Sequence, residues 1–148
     1  MLVTALFLLT DCASNVPDEE PAAQEGETIE LAVYMGRLQL FSDKLYWAGK
    51  AKNEQLVDFY LHEMEEAMEE IHESNLIDEG VDISAMISSY GLAAIERMED
   101  VELDSASFET GYSQLIQNCN ACHAASNYSF VRIIVPTRPA FTNQDMTP

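Results

Sequence analysis

Two thiols and an imidazole stand close together near the end of the chain, in the run Cys119-Asn120-Ala121-Cys122-His123. Thiols at this spacing on a helix end can each add to a vinyl group of a haem, and the adjacent imidazole is then held under the iron as an axial ligand. The other uses of a Cys-x-x-Cys pair ask for surroundings that this sequence lacks. A thioredoxin-like dithiol needs a βαβ setting. A structural zinc site needs a second ligand pair, and His62 and His72 lie too far along another segment to form one with these residues. A plain Cys119–Cys122 disulfide would leave His123 without a role. One covalently bound haem c is therefore the expected cofactor, with Cys119 and Cys122 holding the porphyrin and His123 on the iron.

The elements that must position these residues are read from hydrophobic periodicity. From Thr28, the residues Leu31, Tyr34, Met35, Leu38, Phe41 and Leu45 recur at helical steps, which predicts a first helix to about Lys52. Asn53 can cap a second helix whose stripe runs through Leu56, Tyr60, Met64, Met68 and Ile71. Its other faces carry Glu63, Glu65, Glu66, Glu69, Glu70 and Glu73. Ser74 to Val81, with Gly80, interrupts the period, and Asp82 can cap a third helix through Ile83, Met86, Ile87, Tyr90, Ala94 and Met98. Gly91 is its one poor helix former. Asp104 or Ser105 opens a fourth helix through Phe108, Tyr112, Leu115 and Ile116, with the Cys and His residues at its C-terminal end. The pattern predicts an all-α fold, an up-and-down four-helix bundle. After Phe130 the composition changes: Phe130 to Val135 is rich in β-branched residues, and Pro136, Pro139 and Pro148 forbid a continuing helix. An extended C-terminal tail with room for one short strand is expected. The chain thus divides into a leader and acidic linker over 1–27, a haem domain over 28–129 and a tail over 130–148.

The leader has its own chemistry. Leu2 to Leu9 is almost uniformly apolar and runs into Thr10-Asp11-Cys12-Ala13, after which the chain turns acidic as far as Glu27. That order is the order of an export signal followed by a tether. It resembles a bacterial lipoprotein signal, in which the Cys after a short apolar run is lipidated, and Cys12 stands at that place. The resemblance departs at Asp11, where a small residue is usual, and in the absence of a Lys or Arg before the apolar run. The expectation is a periplasmic or otherwise extracytoplasmic protein, anchored to a membrane face through a lipid on Cys12.

From Thr28 to about Phe130 the chain resembles the class II cytochromes c, the cytochrome c′ and c-556 type. These are four-helix bundles with their only Cys-x-x-Cys-His near the end of the last helix, the place of Cys119, Cys122 and His123 here. After His123 the sequence reads Ala124-Ala125-Ser126-Asn127, without the aromatic-Arg pair common in cytochromes c′, and the tail is longer. In an up-and-down bundle the end of helix four lies level with the start of helix one, the end of helix two and the start of helix three. That places Leu31, Tyr34, Met35, Leu38, Met68, Ile71, His72, Ile83, Met86 and Ile87 around His123. The resemblance implies Met35 as second axial ligand, since six-coordinate members supply a Met from the first turns of helix one. An open sixth position, or Met86, His72 or Met146 in it, stays as an alternative. Tyr34 and Leu38 belong to the same neighbourhood, and Arg132, like Arg138, could pair with a haem propionate. The implied function is single-electron transfer without bond-making catalysis, or, with the sixth position open, binding of nitric oxide or carbon monoxide. A homodimer is among the assemblies that the resemblance allows.

Charge bounds the partners. The chain carries 26 Asp and Glu against 7 Lys and Arg, a formal net charge of −19, which excludes the clustered cations that nucleic-acid binding needs. Glu63, Glu66, Glu70 and Glu73 form one acidic ridge on the second helix. Such a ridge keeps a protein soluble, and it would also steer a basic redox partner protein toward the haem edge. Glu69 and His72 have the Glu-x-x-His spacing of a di-metal bundle site, but no second such motif occurs.

Overall fold

The computed structural model describes residues 30–148. These residues are mostly helical. Helix α1 (Leu31–Lys50) is followed by α2 (Glu54–Glu73), a minimal hairpin of β1 (Ile77–Asp78) and β2 (Val81–Asp82), and α3 (Ile83–Met86). A π-helical segment (Ile87–Leu92) then runs into α4 (Ala93–Glu99), and α5 (Ser105–Ala125) closes the helical part. Helices α1 and α2 pack side by side, α5 lies against α1 and α4, and the π segment bridges α2 to α5.

The helix boundaries follow from local chemistry. At the end of α1, Lys52 adopts a left-handed backbone with φ of 57°. The Asn53 and Lys52 N–H groups then bond back to Ala48 O and Gly49 O, both at 3.0 Å, the paired bonds of a Schellman stop. Asn53 starts the next helix, its side chain accepting from Leu56 N at 3.1 Å. Asp82 and Asp104 act likewise, Asp82 accepting from Ala85 N at 2.9 Å and Asp104 from Ala106 N at 3.0 Å and Ser107 N at 3.2 Å. In the hairpin, Glu79 and Gly80 both have positive φ, 47° and 82°, as a two-residue type I′ turn requires.

The third helical rod departs from the sequence expectation, because it widens to π geometry over Ile87–Leu92. Gly91 lies in this stretch, and a Cβ there would meet Met68 Sδ at 2.7 Å. The close approach of Met68 on α2 thus falls at a glycine, a residue that holds a regular helix poorly. The tail also departs in one respect: the two strands lie before α3, and residues 130–148 contain none.

The core is built from Leu45, Tyr60, Met64, Ile71, Ile95, Phe108, Tyr112 and Leu115, all essentially without exposure. Beyond α5 the chain reverses at Asn127, whose φ is 67°, while Tyr128 N–H reaches back to His123 O at 2.7 Å. The tail then runs along the helices. Ile133 bonds to Asn120 on α5, Ala140 N donates to Asp43 on α1 at 3.2 Å, and Tyr60 on α2 donates to Gln144 at 2.7 Å. At the far end Asn53 donates to Met146 O at 3.3 Å and Thr147 O at 2.9 Å. Among the described residues no helix is long and apolar enough to cross a membrane.

Candidate functional site

One cavity dominates the described residues. It has a volume of about 380 Å³ and opens where the first turns of α1, the middle of α2, the start of the third rod and the end of α5 meet. That volume lies within the range of about 300–1,000 Å³ usual for cofactor and small-molecule sites. Cys119, Cys122 and His123 all line it, as do Met35, Leu38, Met68, Ile83 and Ile87. The walls are aliphatic and thioether, and their sparse polar groups include Gln39, Ser42 and Asn118.

The imidazole of His123 is oriented by the tail. Its Nδ1 lies 2.9 Å from Val131 O. A carbonyl oxygen only accepts, so Nδ1 carries the proton of this bond, and in the neutral imidazole the lone pair lies on Nε2. This is the arrangement of a ligand histidine, in which a bond from the far nitrogen fixes the tautomer and raises the basicity of the other. Val131 is itself held by the bond from its N–H to Tyr128 O at 2.8 Å. Tyr128 also donates through its hydroxyl to the Asp78 carboxylate of the hairpin.

The thiols are free, Cys122 buried and Cys119 half-buried. Burial, reinforced by the neighbouring Cys122, pushes the Cys119 thiol up to about 11, and burial raises Cys122 as well. Both are therefore protonated at neutral pH. A reactive redox dithiol depends on a depressed thiol pKa, which this environment does not supply. Among the described residues no three His, Cys, Asp or Glu side chains gather into a metal-holding cluster. Haem asks for less: two thiols for its edge, one imidazole with a free Nε2, and apolar walls for its faces. The donor set and the cavity fit that group.

The remaining candidate residues are distributed as follows. Tyr34 is not among the cavity-lining residues; its hydroxyl donates to Glu70, and the Arg37 guanidinium lies 5.4 Å from its ring centroid and 3.8 Å from the Glu70 carboxylate. Arg132 is exposed and also absent from the lining. His72 faces Ser84 O at 3.1 Å through Nδ1, and neither it, Met86 nor Met146 borders the cavity. Met146 instead packs beside the core at the other end of the tail. Cys12 lies outside the described residues. The acidic ridge is partly engaged, since Glu66 lies 3.4 Å from His62 and Glu70 is shared by Tyr34 and Arg37.

Tyr128, Val131 and Ile133 of the chain after α5 line the cavity without having been foreseen as site residues. Their approach depends on the reversal at Ser126-Asn127. An Asn just past a helix end is a readable signal for that reversal, though not for its direction.

Comparison with protein-family models, with curated proteins and with solved structures finds no match to this chain.

Proposed function

We propose that the chain is an exported monohaem c-type cytochrome of the class II kind, an up-and-down four-helix bundle that passes single electrons between redox partners. The observation that carries this reading is that Cys119, Cys122 and His123 line one apolar cavity while the His123 Nδ1–H is committed to Val131 O, leaving Nε2 free to ligate. Bound haem would supply the one-electron iron couple. Cys119 and Cys122 would hold its edge through thioethers, and His123 would ligate the iron through Nε2. Met35 lines the same cavity and would supply its thioether as a second protein ligand to the iron. Leu38, Ile83 and Ile87 would exclude water from the porphyrin faces. The chain's own part is to bind, orient and desolvate the cofactor; no bond-making catalysis is assigned to it. The lipid on Cys12 would keep the domain at a membrane face outside the cytoplasm, and the acidic α2 would attract a basic partner.

A second reading rests on the aliphatic wall. With Leu31, Leu38 and Ile87 around an iron lacking a sixth protein ligand, the domain would bind nitric oxide or carbon monoxide. Optical spectra of protein matured with covalent haem, oxidised and then reduced, before and after carbon monoxide, separate the two. A low-spin spectrum with the weak far-red band of Met ligation, unmoved by the gas and altered in Met35→Ala, supports the electron carrier. A high-spin spectrum that shifts with carbon monoxide assigns the gas-binding role instead. A protein that takes up no haem refutes both.

A further inference from the structure

The first variable position of the Cys-x-x-Cys-His run carries a role of its own. Asn120 grips the tail at both backbone groups of one residue: its Nδ2 donates to Ile133 O at 2.9 Å, and its Oδ1 accepts from Ile133 N at 2.8 Å. A side-chain amide paired in this way fixes both position and rotation of a peptide, as a neighbouring strand would. Two residues upstream in the same extended run, Val131 O accepts from His123 Nδ1 at 2.9 Å. The run 128–133 is thus pinned between the Tyr128 N–H on His123 O at 2.7 Å and the Asn120 clamp.

We propose that Asn120 is a positioning residue for the proximal histidine, acting through the tail: it holds Ile133 so that Val131 O stays on His123 Nδ1 and keeps the imidazole electron-rich. This rests on the reading of His123 as the haem ligand. The bond to Val131 O raises the basicity of Nε2, which favours the oxidised iron and so lowers the reduction potential. A histidine released from that carbonyl would be the weaker donor. The chain would thereby use a tail beyond the helices to set the potential of a site built within them.

The test uses the full haem-loaded protein and three variants, Asn120→Ala, Asn120→Ser and Gln144→Ala. Asn120→Ser keeps a polar side chain too short for both bonds, and it serves if Asn120→Ala matures poorly. Gln144→Ala removes a different anchor of the same tail, the bond from Tyr60 at 2.7 Å. Hydrogen exchange at the Ile133 amide reads the clamp, and redox titration reads its effect on the iron. In both Asn120 variants, Ile133 exchange is expected to accelerate roughly tenfold, the size of one lost hydrogen bond, and the potential to move positive. Gln144→Ala is expected to leave both unchanged. Faster exchange with an unmoved potential would overturn the positioning role, as would a positive shift of equal size in Gln144→Ala. Wild-type protein without covalent haem would overturn the parent reading and this inference together; it is recognised by the spectrum alone, while amide exchange still reports whether the clamp exists.

Discussion

Gly36 and Gly49 belong to the same helix and sit in opposite surroundings. A Cβ at Gly49 would lie 1.9 Å from Cζ of Phe108, a side chain that is 1 % exposed. A Cβ at Gly36 would meet nothing within 4 Å, and Gly36 lines the cavity. Around Gly49 the structure is filled by aromatic rings: Tyr46 stands 4.8 Å from Tyr112 and 6.4 Å from Phe108 between centroids. Around Gly36 are thioethers, thiols and aliphatic side chains bordering open volume. Ser42 and Tyr112 form the partition, with the Tyr112 hydroxyl donating to Ser42 O at 2.9 Å and accepting from Ser42 Oγ at 3.0 Å. One end of the molecule spends its side chains on packing, whereas the other leaves a cavity that packing alone would have closed. The close aromatic packing therefore lies at one end, and the proposed site at the end bearing His123.

Substitutions should separate the two ends. Gly49→Ala forces a methyl into Phe108 and is expected to destabilise by about 1–3 kcal/mol, read by thermal or urea unfolding. Asn53→Ala removes the α2 cap and the last anchors of the tail together, and should cost about 1 kcal/mol by the same measurement. Gly36→Ala should act in the other direction, stabilising by about 0.5–1 kcal/mol through helix propensity. A loss of stability in Gly36→Ala as large as that in Gly49→Ala would erase the contrast between the ends.

A further effect depends on pH. Below the ordinary thiol value of 9.0, Cys119 is neutral in both folded and unfolded chains. Above it the unfolded chain gives up the proton first, because the folded value is pushed up to about 11. Haem-free protein should therefore lose stability progressively between those two values. Alkylation of Cys119 in the folded state should remain slow until the pH approaches the upper one.

Much of this arrangement was legible in the sequence, and the illegible parts share a cause. Asn53, Asp82 and Asp104 read as helix caps because their short polar side chains satisfy N–H groups only two or three residues away. Of the ten residues expected around His123, Tyr34, Ile71, His72 and Met86 do not border the cavity, whereas Leu31, Met35, Leu38, Met68, Ile83 and Ile87 all line it. Tyr34 shares their helix face, yet its hydroxyl goes to Glu70 on α2. Periodicity locates a residue on a face but does not choose among partners at its edge. The π segment falls where Gly91 meets Met68, a contact between residues distant in sequence. The tail has no period at all. Its course is set by single hydrogen bonds to Asn120, Asp43, Tyr60 and Asn53, and none of these is marked in the run from Phe130 to Pro148.

Covalent attachment of haem to Cys119 and Cys122 is read without intermediate steps by mass spectrometry of the protein produced alongside c-type haem attachment machinery. The expected polypeptide is heavier by one haem, with the added mass on the peptide that contains Cys119 and Cys122 and absent when both are changed to Ser. An unmodified peptide from cells that mature a control cytochrome c would contradict it.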